Sequence, residues 1–340
     1  MSVLKKSIPI LLVFSVLASF GYAWGQMVPS GMGPAGQYKF SDGSRNSYIS
    51  IGLRKYISSF TSYEFLDPDY TFVDPASRLE WPWEQTYGVV KAGIVYKGLQ
   101  LNLEGASTLL TYSDLKAQDS DWTDRNLPSQ KTVFSEAEAY PRGWTIDASV
   151  GFDLPVLESV RWILGYRAQQ FRFTYTDMYQ KELYKPQDNG FSGGEIIHFT
   201  QDFRHYYGGA VIGSSVELSI LTPSLAGTFV DFRLLGDVGY VTANNVDFHV
   251  IRTPAPRYTY EKTHGVSWRI NASADLRITQ RFLVGIAGEF MRIKTGGSHR
   301  MTHPAGWDGT QNVPATDETW QGARVWSDQS FIELNGSVNF

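Results

Sequence analysis

The sequence predicts an all-β fold, a ten-stranded antiparallel transmembrane β-barrel with long extracellular loops and short periplasmic turns. Three observations carry this. Apolar and polar residues alternate with a period of two through most of the chain, and helical periodicity is hard to find beyond the first two dozen residues. The connections between alternating segments fall into long and short, in strict turn. The last segment puts Ile332, Leu334, Val338 and Phe340 on one face and Glu333, Asn335, Ser337 and Asn339 on the other, ending on an aromatic residue.

The amino terminus stands apart from this pattern. Lys5 and Lys6 precede an apolar run over residues 8–20, and small residues follow at Gly21 and Ala23. That is the layout of a secretory signal peptide, and the run is too short for a spanning helix, which needs about 20 residues. Residues 1–23 are expected to be a cleaved leader and 24–340 one barrel domain. Composition narrows the class further. Without cysteine, disulfide scaffolds, Cys-rich zinc modules and thiol nucleophiles are excluded. A net charge of −4 argues against nucleic acid as a partner. The 10 Trp, 19 Tyr and 20 Phe are too many for a disordered polymer.

In order, the strands are expected near residues 47–58, 78–96, 99–111, 143–153, 159–175, 203–220, 227–244, 265–278, 281–294 and 328–340. Short turns fall at 97–98, 154–158, 221–226 and 279–280. Long connections fall at about 59–77, 112–142, 176–202, 245–264 and 295–327, rich in Gly, Pro, Asp and Ser. Such sorting, with an even strand number, is the outer-membrane layout. The final strand alone does not separate a lipid-facing barrel strand from one in a soluble sandwich, whose apolar face would turn inward. Its terminal aromatic is similar to the carboxy-terminal signature of bacterial outer-membrane barrels.

Nine to eleven residues suffice to cross an outer membrane, and several segments exceed that, so the barrel should stand above the membrane on the long-loop side. Charges within strands, such as Glu104, Asp147, Asp231, Arg233, Asp237 and Glu289, should face the lumen. Trp81, Trp83, Trp144, Trp162, Tyr166, Tyr206, Tyr207 and Trp268 suit interfacial girdles.

Two motifs fall on the expected rim, Asp119-Ser120-Asp121-Trp122-Thr123-Asp124 and Asn245-Val246-Asp247-Phe248-His249. In extended backbone, residues two apart project to the same side. Asp119 would project with Asp121, and Asp247 with His249. Across a narrow mouth the pairs can face each other and hold a water, with the imidazole as base and a carboxylate fixing its tautomer. Asp-x-Asp also reads as a solvated acidic turn or a calcium ligand pair. Trp122 would shape a substrate groove or pack its loop. The other histidines, His198, His205, His264, His299 and His303, have no acidic residue at i±2 and read as surface or lumen residues.

With these motifs on the second and fourth outer connections, the chain resembles the omptin family of outer-membrane endopeptidases. Arg78-Leu79-Glu80-Trp81 and Gly165-Tyr166 look like family positions too. The resemblance implies a water held between an Asp119–Asp121 couple and an Asp247–His249 couple, attacking the peptide carbonyl directly. His249 would be the general base and Asp247 its orienter, with no acyl-enzyme, metal or cofactor. It implies polypeptide substrates at the cell surface, an outer-membrane location with the site facing outward, and outer-membrane lipid as a partner. Family members that cut between basic residues carry an acidic pocket. The corresponding positions here read Asn245 and, without a gap, Phe60, with Glu64 close by if the loop is shifted; Asn245, Phe60, Glu64 and Trp122 are the expected substrate-binding residues, and an aromatic or neutral pocket would favour residues other than Arg or Lys at the cleavage site. Lipopolysaccharide, an activating lipid in the family, would meet Gln170 and Asp202 where the family carries arginines. Arg167, Arg172 and Arg204 lie near but off register. The alternatives are a non-catalytic barrel acting as adhesin or structural protein, and a small channel.

Overall fold

Each strand of the barrel wall finds two partners. The computed structural model describes residues 47–340 apart from 97–98, 111–115, 123, 154–159, 183–190, 194–196, 219–226, 251–254, 280 and 308. The expected leader and most of the expected short turns lie outside the described residues. The strands are β1 (Tyr48–Tyr56), β2 (Phe60–Phe65), β3 (Ser77–Pro82), β4 (Thr86–Tyr96), β5 (Leu99–Thr108), β6 (Lys116–Asp121), β7 (Val133–Asp153) and β8 (Val160–Glu182). They continue as β9 (Phe191–Gly193), β10 (Ile197–Glu217), β11 (Phe229–His249), β12 (Arg257–Arg277), β13 (Phe282–His303), β14 (Gly306–Trp307), β15 (Asn312–Val313) and β16 (Thr316–Asn339).

Antiparallel pairing runs β1–β4–β5–β7–β8–β10–β11–β12–β13–β16 and returns from β16 to β1. That is a ring of ten. Towards the end that carries the long connections the first three wall strands are interrupted, and β2, β3 and β6 take the places of β1, β4 and β5. The first break falls at Ser58, which has a positive φ of 48°. Ladder bonds span it: Ile57 N–H donates to Ser330 O at 2.8 Å and Trp83 N–H to Ser59 O at 2.8 Å.

The two faces of the wall settle what the last strand left open. Ile51, Leu101, Val238, Val266 and Leu334 are exposed, whereas Arg54, Asp147, Arg167, Asp231 and Glu333, on the alternate face, are buried. Apolar-out and polar-in is the arrangement of a barrel solvated by lipid. All six in-strand charges singled out above join the interior. Arg54 pairs with Glu104 and Glu333 at 2.7 Å, Arg167 with Asp147 at 2.7 Å, and Arg269 with Asp237 at 2.6 Å. Asp231 pairs with Arg277, Arg233 with Asp275, and Glu289 with Arg167. All of these except Asp237 and Glu333 line a cavity of about 300 Å³ in the half of the lumen nearest the short turns.

Above that cavity the lumen is filled by rings. Tyr56, Trp83, Tyr87, Phe171, Phe173, Phe199, Phe203 and Phe331 are all buried in one cluster with Tyr63 and Trp81. Trp83 lies 4.1 Å from Phe171, and Tyr56 5.1 Å from Tyr87, between ring centroids. This corrects the expectation that Trp81, Trp83 and Tyr207 belong to an interfacial girdle, because all three are buried inside the barrel. Trp162, Tyr206 and Trp268 do face outward. Among the described residues these rings make one packed layer across the lumen.

The wall strands run further into the long connections than periodicity indicates. β7 begins at Val133 rather than 143, β10 at Ile197 rather than 203, β12 at Arg257 rather than 265 and β16 at Thr316 rather than 328; β11 ends at His249 and β13 at His303. On these extensions the inward positions become apolar, as at Ile197, Phe199 and Phe203, and the outward ones polar, as at His198, Asp202 and Arg204, so the apolar-out pattern ends while the ladder continues. β11, with 21 residues, runs about 70 Å at about 3.3 Å per residue, and at a tilt of about 45° it rises about 50 Å against an apolar band of about 25 Å. Asp119 and Asp121 therefore sit on β6, and Asn245 to His249 on β11, instead of on loops, while Trp122 follows the end of β6.

Candidate active site

Strand parity decides what enters the mouth. On β11, Val241, Ala243, Asn245, Asp247 and His249 are buried and face inward. Asp247 is 0% exposed. His249 Nε2 lies 3.2 Å from Asp247 Oδ2, so a neutral imidazole protonated at Nε2 donates to the carboxylate. The same oxygen accepts the Tyr63 hydroxyl at 2.9 Å. Burial, with Asp247 second, pushes the Tyr63 phenol well above its ordinary value and keeps it a donor.

Asp119 and Asp121 lie on β6, in register with Leu79 and Ser77 of β3 and with Ser135 and Val133 of β7. Leu79, Ser77 and Ser135 are buried on the inner face, so both aspartates project into the mouth. Ser77 Oγ donates to Asp119 Oδ1 at 3.5 Å. The Asp121 carbonyl accepts Thr132 N–H at 2.8 Å and Thr132 Oγ1 at 3.0 Å, which anchors the hairpin following the motif.

The two doublets stand on opposite walls. In the upper ring β7, β8 and β10 separate β6 from β11 on one side, and β3, β2, β16, β13 and β12 separate them on the other. A stacked pair forms the floor between them. Trp81, two residues from the Leu79 that pairs with Asp119, stacks on Phe199 at 3.8 Å and 6°. Phe199 pairs in register with Asp247.

Of the four residues expected to shape the pocket, only Asn245 enters the mouth, where it is 1% exposed and in register with Gln201 and Glu261. Phe60 and Glu64 alternate with the inward Thr61 and Tyr63 and so lie on the other face of β2. Glu64 is held there by Arg78 at 2.7 Å and Arg324 at 2.8 Å. Trp122 lies between Arg78, at 5.8 Å, and Lys131, at 5.7 Å, so its ring packs the loop.

Sequence reasoning missed three residues here. Tyr63 is one, and Glu261 with His299 are the others. Glu261 Oε1 lies 2.7 Å from His299 Nδ1, and both residues are buried. Burial raises the Glu261 carboxyl above its ordinary value, against the opposing pull of His299. The His299 ring is stacked on Phe65 at 4.2 Å and lies 4.6 Å from Trp320. A search for acidic neighbours at i±2 overlooks such a pair, because its carboxylate comes from the adjacent strand. A bulge shapes the same corner. Gly297 pairs with Ala323 and Ser298 with Gln321, leaving Gly322 extra at φ 109°. The added residue reverses parity along β16 and brings Trp320 inward beside His299.

On the outer face, Gln170 donates to Asp202 at 3.0 Å and Arg204 lies 3.5 Å from the same carboxylate. Arg172 is exposed there, whereas Arg167 is a lumen residue.

No family model matches the chain, and no curated protein matches it in sequence. Among solved structures it is similar to the outer membrane protease OmpT from Escherichia coli, with a TM-score of 0.67 and 17% identity over 87% of this chain and 97% of that one. A second similarity, to the translocator domain of the autotransporter NalP from Neisseria meningitidis, has a TM-score of 0.37 and 7% identity, covering 96% of this chain and 98% of that one. The fold is thus that of an OmpT-like outer-membrane β-barrel.

Proposed function

We propose that this protein is an outer-membrane endopeptidase whose site faces the exterior. The observation that carries the reading is the pair of inward doublets, Asp119 with Asp121 and Asp247 with His249, on facing walls above the Trp81–Phe199 floor. With Nε2 donating to Asp247, proton transfer falls to Nδ1 of His249. A water between that nitrogen and the β6 carboxylates attacks the peptide carbonyl as the imidazole takes its proton. The imidazolium, stabilised by Asp247, then returns the proton to the departing amine. Asp119 positions the water and Asp121 supports it. The bond is hydrolysed without an acyl-enzyme.

Substrates in this reading are polypeptides at the cell surface, selected by a pocket around Asn245. Outer-membrane lipid is the second partner, with lipopolysaccharide as candidate activator. Arg172 and Arg204, which face outward, would meet its phosphates.

The test is digestion of a peptide library by refolded protein in detergent, with and without lipopolysaccharide. Asp119→Asn and His249→Ala are each expected to lower kcat at least about a thousandfold. Serine and cysteine protease inhibitors should leave cleavage intact. Cleavage surviving either substitution refutes the mechanism, and a native barrel that cuts nothing favours the adhesin alternative. The bonds cut define the pocket.

A further inference from the structure

Asp247 has two carboxylate oxygens with unequal surroundings. Oδ2 receives both the His249 imidazole at 3.2 Å and the Tyr63 hydroxyl at 2.9 Å, while Oδ1, also buried, has no hydrogen-bond partner among the described residues. Without Tyr63, the imidazole would be the one hydrogen-bond donor among the described residues that fixes the rotation of the carboxylate it depends on. Tyr63 does not come from a neighbouring strand. It reaches across the lumen from β2, and its ring is held in the floor by Trp81 at 5.5 Å and Phe199 at 5.6 Å, with Phe65 at 6.1 Å. A phenol on a packed aromatic base has almost no rotamer freedom to lose, so its hydroxyl is a fixed point for the carboxylate.

We propose that Tyr63 is a positioning residue, which fixes the Asp247 carboxylate against His249 and moderates the charge that the imidazole experiences. This rests on the endopeptidase reading for its consequence in catalysis, but the coupling of Tyr63 to His249 stands independently of it. A donated hydrogen bond draws charge from Oδ2. Removing it leaves a more concentrated negative charge beside Nε2, which favours the imidazolium. Other charged or titratable groups around the couple are Arg257, in register with His249, Glu261 with its partner His299, Tyr175 on β8, and Asp119 and Asp121 on the far wall. Phenylalanine at position 63 leaves all of these in place and keeps the stacked ring.

The experiment is an NMR titration of histidine-labelled full-length barrel in detergent micelles, native against Tyr63→Phe, with the His249 signal assigned by its loss in His249→Ala. The His249 midpoint is expected to rise by about half a pH unit in Tyr63→Phe. The acidic limb of kcat/KM should move with it, and kcat should fall about tenfold with KM unchanged. An unchanged or lowered midpoint overturns the proposal, since loss of packing alone would not move it. If Tyr63→Phe does not fold, tyrosine labelled at Cζ supplies the reciprocal measurement. Asp247→Asn should shift the Tyr63 Cζ resonance upfield, and an unmoved resonance overturns the proposal. A native barrel that cleaves no peptide would sink the endopeptidase reading, while these two measurements still decide the role of Tyr63.

Discussion

Replacing Phe199 with alanine strikes the fold and the candidate site together. Phe199 is 0% exposed, stacked on Trp81 at 3.8 Å, and within 5.6 Å of Tyr63 and 5.9 Å of Phe173. A buried phenylalanine removes roughly 200 Å² from water, worth about 5 kcal/mol at about 25 cal/mol per Å². Alanine keeps the backbone and one carbon, and the neighbouring rings relax only in part, so the net loss should be about 3–5 kcal/mol. The assay is urea unfolding from phospholipid vesicles followed by tryptophan emission, comparing midpoints at a common slope. A loss below about 1 kcal/mol would refute the close-packed floor and leave the ladder as the sole source of stability. A second readout is single-channel recording in a planar bilayer. The native protein should show no unit conductance, and a conducting native barrel would refute the same reasoning from the other side.

Other perturbations address the wall, the bulge and the buried acid. Ile51→Arg places a charge on the lipid face, where the side chain is now 67% exposed, and should destabilise the bilayer-embedded barrel by about 2–4 kcal/mol, measured by the same unfolding assay. If it costs nothing, that face does not meet lipid. Gly322→Val puts a Cβ at 2.6 Å from Leu66 Cδ1 on a backbone with φ 109°, and should cost about 1–3 kcal/mol in the same unfolding assay. Native-like stability there would contradict the bulge. Glu261 has its carboxyl raised above the ordinary 4.5 by burial, so the folded state binds more protons than the unfolded one above that pH. Its contribution to stability is present below 4.5 and is lost as pH rises through the folded value. Glu261→Gln should flatten that decline, read as the native-minus-variant difference in urea midpoint between about pH 4 and pH 8. A difference that does not change with pH refutes the assignment.

What could be read in the chain was local. A period of two needs only neighbouring residues, so alternation revealed strands, and the turn-length pattern revealed a barrel. The same parity put Asp247 with His249, and Asp119 with Asp121, on common sides before any partner strand was known. Everything requiring a partner was hidden. Tyr63 and Asp247 are 184 positions apart, and ring closure alone joins them. Glu261 and His299 meet because β12 pairs with β13 in one register, and Trp320 faces inward because a single extra glycine reverses the parity beyond it. Sequence also left Trp81 and Trp83 on the wrong side of the wall, since an aromatic residue suits a lipid interface and a packed lumen equally well. Alternation by itself determined that this wall has an apolar and a polar face; only the closed ring decided that the polar face lies inside, because curvature, not composition, chooses which side meets the surrounding solvent.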